Sequence, residues 1–73
     1  MADKDKYESY LDLDDEQRYL VQQLLLHQYA LESKQNIGKM VTMMKEDLKL
    51  YEQTEMYDTC QLYVDSLKLI DNP

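Results

Sequence analysis

From Leu13 to Ile70 the chain carries apolar residues at helical spacing almost without a break, with one glycine inside the run, Gly38, and one proline beyond it, Pro73. A strand repeats every two residues and a helix every 3.6, so this spacing predicts an all-α fold. An isolated helix cannot hold an apolar stripe in water. The stripe must be buried on neighbouring helices or on another chain.

Residues 1–12 read as a flexible or short-helical acidic N-terminal segment, in which Tyr7, Tyr10 and Leu11 form the only hint of a helical face. Such a segment could dock on a partner or stay disordered. Residues 13–73 read as a single helical domain. Its first helix is expected near 14–37, opened by Asp14 as cap with Gln17 three residues on, and by Asp15 and Glu16 at the positive end of the helix dipole. Leu20, Leu24, His27 and Leu31 lie along one line of that helix, flanked by Val21, Ala30, Leu26 and Tyr19, while Arg18, Gln22, Glu32 and Ser33 mark a narrow polar face. An arc this wide needs more than one neighbour.

Gly38 is expected just past the end of the first helix, where a left-handed residue costs least. Ile37, Val41, Met44, Leu48 and Tyr51 then form a heptad seam, and Met56, Cys60, Tyr63, Leu67 and Ile70 form a second seam after a five-residue step, which turns the stripe by about 100°. Thr54, between the two seams, could cap a further helix. Two architectures follow. One is a small three-helix bundle with helices near 14–37, 39–52 and 55–70; the other is a helical hairpin with a long bent second helix, which would need a homodimer to cover its stripes.

A domain of 73 residues buries only about 60% of the surface its unfolded chain exposes, so it needs tight packing or oligomerisation. Cys60 and His27 stand alone among their kinds, which excludes disulfides and a zinc staple. No run is long and apolar enough for a membrane span, and residues 1–15 are acidic where a signal peptide would be basic and then apolar, so a cytoplasmic protein is expected.

The net charge of −7 is uneven: residues 1–16 hold seven acids and two bases, 17–38 one acid and two bases, and 39–73 seven acids and four bases. Such a balance disfavours nucleic acid and anionic lipid and favours a protein partner with a basic surface. Lys34, Lys39, Lys45 and Lys49 gather around Gly38, but Glu46 and Asp47 interrupt them. They read as a solvated face rather than a DNA-reading helix.

Little in the chain can carry catalysis. His27 falls between Leu24 and Leu31 and reads as a packed or boundary residue; Cys60 falls in a seam and reads as a small buried hydrophobe. The acidic run from Asp12 to Glu16 lacks the glycine and glutamate of a calcium loop, with Gln17 and Gln23 in their places. There is no Glu-x-x-His pair for a di-iron bundle and no glycine-rich phosphate loop. No enzyme activity and no cofactor or metal are therefore expected.

All seven aromatic residues are tyrosines, and Met40, Met43, Met44 and Met56 lie within the helical region. Tyrosine suits half-buried contacts and methionine supplies an adaptable surface. Tyr51 and Tyr63 sit in the seams and are expected in the core. Tyr29, Tyr57, Met40, Met43 and Leu26 are the expected apolar contacts to a partner, with Asp14, Asp15, Glu16, Glu52, Glu55 and Asp58 as its electrostatic steering. The expected function is a small acidic protein-binding module, an inhibitor or adaptor of a larger machine of the kind phages and mobile elements encode. The alternative is a self-associating homodimeric subunit or scaffold, closed by the over-wide arc of residues 19–31.

Overall fold

The computed structural model describes residues 10–71, with side chains as far as Ile70; residues 1–9, Tyr7 among them, lie outside the described residues. A 3₁₀ turn, Tyr10–Asp12, leads into three helices: α1 (Asp15–Glu32), α2 (Ile37–Gln53) and α3 (Tyr57–Asp71). They form the three-helix bundle. A long bent second helix does not form, because the chain breaks between α2 and α3.

The start of α1 follows the expected capping chemistry. Gln17 N–H donates to the Asp14 carboxylate at 2.8 Å and the Asp14 N–H donates back to Gln17 Oε1 at 3.3 Å. The end of α1 does not. It closes at Ser33, and Lys34 and Gln35 take left-handed backbone with φ 56° and 64°. Gln35 N–H donates to Ala30 O at 2.7 Å and Lys34 N–H to Leu31 O at 3.2 Å, which satisfies the last carbonyls of α1 in a Schellman motif built without glycine. Gly38 sits instead in the first turn of α2, behind Asn36, whose side chain accepts from Lys39 N–H at 3.0 Å.

The second turn repeats the device. Met56 N–H donates to Tyr51 O at 3.0 Å and Glu55, with φ 59°, occupies the left-handed position. Thr54 therefore closes α2 rather than opening α3, its hydroxyl donating to Leu50 O at 3.1 Å.

The core lies along α3, which packs against α1, α2 and the leading turn. Thr59, Leu62, Tyr63, Ser66 and Leu67 are its buried side chains, at the i, i+3, i+4, i+7, i+8 spacing of one helix face. The expected seam through Met56, Cys60 and Ile70 is thus rotated towards two small hydroxyl residues; Met56, Cys60 and Ile70 are half-buried. Ser66 Oγ donates to Leu62 O at 2.8 Å, so its hydroxyl is buried without an unpaired group. Leu25, Tyr29, Met40 and Met44 complete the core from α1 and α2.

Candidate docking surface on α1

The orientation of α1 is the reverse of the one its leucines suggest. Gln22 and Ser33, expected on the polar face, are 8% and 2% exposed, while Leu20, Leu24 and Leu31 are 57%, 66% and 62% exposed. His27, expected to pack between them, is exposed as well. At about 100° per residue, Leu20, Leu24, His27 and Leu31 fall within about 60° of arc, and Gln22, Leu25 and Tyr29 lie on the opposite side of the helix.

A tyrosine-centred polar network holds α1 this way round. Tyr10 Oη donates to Asp65 Oδ2 at 2.6 Å and accepts from Gln22 Nε2 at 2.7 Å. The Arg18 guanidinium lies 5.6 Å from the Tyr10 ring centroid and donates to Leu11 O at 2.6 Å. Further along, Tyr29 donates its hydroxyl to the Asp47 carboxylate and shares a 2.6 Å hydrogen bond with Tyr63 Oη. The two rings meet edge to face at 5.8 Å, and the Tyr51 ring lies 5.2 Å from that of Tyr63, tilted by 54°. Burial pushes the Tyr10 hydroxyl up to about 12, helped by its bond to Asp65. Burial likewise raises Tyr29 and Tyr63 above the ordinary tyrosine value. These hydroxyls stay protonated and act as fixed donors.

The outward line of α1 is unusual in charge as well as exposure. From Tyr19 to Leu31 the sequence contains no Asp, Glu, Lys or Arg. Beside it, Gln23, Leu26, His27, Ala30, Gln35, Ile37 and Met40 line an open groove of about 470 Å³ between α1 and α2. Ile37, expected to begin a core seam, is 62% exposed at the rim of this groove.

The residues expected to bind a partner fall into three groups. Tyr29 and Met40 are corrected to core residues: the Tyr29 hydroxyl finds two partners inside, and Met40 is 7% exposed, with only an edge on the groove. Met43 and Leu26 are half-buried, the latter in the groove wall, and Tyr57 is exposed at the start of α3. Of the acids, Asp58 reaches the leading turn, where Leu11 N–H lies 3.4 Å from Asp58 Oδ2, while Asp14, Asp15, Glu16, Glu52 and Glu55 are exposed. Sequence reasoning placed Leu20, Leu24 and Leu31 in the helical stripe to be covered. The available sign that they stay exposed was the uncharged stretch from Tyr19 to Leu31 in which they lie.

Among the described residues no group of three His, Cys, Asp or Glu side chains is placed to hold a metal ion, and no helix is long and apolar enough to cross a membrane. In comparisons with known proteins, no family model, curated protein or solved structure matches the chain.

Proposed function

We propose that this protein is a small cytoplasmic protein-binding module, an inhibitor or adaptor in kind and not an enzyme, whose association surface is the outer face of α1. The observation that carries this reading is the exposed line Leu20, Leu24, Leu31 within thirteen consecutive uncharged residues of a chain that is 32% charged. An apolar, uncharged helix face in water marks an interaction site. The acidic end, with Asp14, Asp15, Glu16, Glu52, Glu55 and Asp58, supplies steering towards basic protein surfaces and acts on association rate more than on affinity.

Affinity capture from the native host tests which surface holds the partner. Partners retained by the wild type should be lost with Leu24→Glu and should survive reversal of Glu16, Glu52 and Glu55 to lysine, which leaves the Asp14 cap of α1 in place, with the fold retained in both variants. The opposite pattern, capture abolished by charge reversal and by salt but indifferent to Leu24→Glu, would transfer the function to the acidic end.

A further inference from the structure

We propose that a second copy of this chain covers the outer face of α1, the two α1 helices packing antiparallel about a two-fold axis level with Leu25 and Leu26. This rests on the reading of that face as an association surface and names its occupant.

The first argument is self-complementarity. A two-fold interface pairs each patch with itself, and the outward line of α1 is close to palindromic: about an axis between positions 25 and 26, Leu20 is level with Leu31 of the second copy and Leu24 with its His27. Leucine thus lies against leucine at both ends.

The second argument is charge. One end of α1 carries Asp12, Asp14, Asp15 and Glu16, and the other leads through Glu32 to Lys34 and Lys39. The helix is 18 residues, about 27 Å long, so the two ends lie well beyond a Debye length at physiological salt. In the antiparallel arrangement the acidic start of each α1 lies beside the end of the other, from which the chain leads to Lys34. A parallel arrangement would set four carboxylates against four. Two copies of a chain with net charge −7 also repel through most of their surface, and the uncharged face is where that repulsion is least.

The third argument is the groove. Helical side chains lean towards their own N-terminus. Tyr19, which is 51% exposed, belongs to the flank of α1 that borders the groove. Tyr19 of the second copy therefore leans along the first copy towards Gln35 and Ile37, at the open end of the 470 Å³ groove.

Sedimentation velocity from about 1 µM to about 500 µM, a range that brackets the weak affinity of a single helix-pair interface, should show a species of 8.8 kDa giving way to one of twice that mass. Leu24→Glu should weaken the dimer about 100-fold or more, since taking a carboxylate out of water into the apolar seam costs more than a contact with His27 of the second copy returns, while His27→Leu should tighten it. In a Cys60→Ser background, Leu20→Cys and Leu31→Cys chains should each resist disulfide formation alone and cross-link to one another when mixed. Cross-linking of Leu20→Cys to itself would overturn the antiparallel arrangement, and a dimer indifferent to Leu24→Glu would overturn both this proposal and the association surface on which it rests. A wild type that stays monomeric throughout the range, while Leu24→Glu still abolishes capture of a host protein, would overturn the second copy alone.

Discussion

The inner face of α3 and the outer face of α1 carry side chains at the same helical period, and the fold buries one while leaving the other in water. On α3 the buried positions include two hydroxyl residues, Thr59 and Ser66, beside Leu62, Tyr63 and Leu67. On α1 the line left outside consists of three leucines and a histidine, and the face turned inward is anchored by Gln22 and Tyr29. Apolar count therefore does not decide which face is buried here. A small or polar side chain goes inside cheaply when its hydrogen bonds are made there, as Ser66 does to its own helix, Gln22 to Tyr10 and Tyr29 to Asp47 and Tyr63. A leucine stays outside when the bundle has no surface left to offer it.

The sharpest way to break this comparison is to cut the same group from both helices. Leu62 is fully buried and Leu24 is 66% exposed. Leu62→Ala should lower unfolding free energy by about 2–5 kcal/mol, and Leu24→Ala by less than about 0.5 kcal/mol. The reading is the denaturant midpoint at unchanged slope, taken at protein concentrations too dilute for dimerisation. Comparable losses at the two sites would mean that α1 buries its leucines within the monomer.

Much of the fold was legible in the residues themselves: the helical period and the capping box of Asp14 and Gln17 follow from local chemistry, whereas the step between Tyr51 and Met56 fitted a break and a bent helix alike until the left-handed Glu55 decided it. The facing of α1 was not. Its inward side is selected by partners far along the chain, Asp65 for Tyr10 and Tyr63 for Tyr29, and a local pattern carries no information about them. Met40 and Tyr29 were assigned to the surface for the same reason. The turn at Lys34 was hidden because left-handed backbone usually selects glycine, and the nearby Gly38 drew the expected helix end to 37, five residues past Glu32.

Alkaline titration sharpens the comparison, because it acts on the hydroxyls that fix α1. Tyrosine in the unfolded chain ionises near pH 10, whereas Tyr10 in the fold does so at about 12, for burial first and its bond to Asp65 second. A folded value raised above the unfolded one means that the contribution is intact below pH 10 and is lost as pH rises from there through about 12. Tyr29 and Tyr63 are shifted in the same direction by burial. Unfolding free energy should therefore fall above pH 10 with a slope of up to ~1.4 kcal/mol per pH unit for each of the three. Tyr10→Phe should cost about 1–3 kcal/mol at neutral pH, since Gln22 and Asp65 lose a buried partner, and should reduce the alkaline slope by one tyrosine. A slope unchanged in that variant would detach Tyr10 from the network that orients α1.

The smallest effect bears on the corner between the outward leucines and the core of α2. Gly38 has no positive φ and lies in the first turn of α2, so an alanine there can keep helical backbone. The added Cβ would meet Asn36 Oδ1 at 3.5 Å, an ordinary contact. Gly38→Ala should then stabilise the protein by about 0.5–1 kcal/mol, because alanine loses less backbone freedom on entering a helix. Had Gly38 been the left-handed residue closing α1, the same change would destabilise by about 1 kcal/mol or more. The sign of the shift in thermal midpoint separates the two. A loss of stability would relocate the end of α1 and, with it, Leu31 and Ile37 at the end of the outward face.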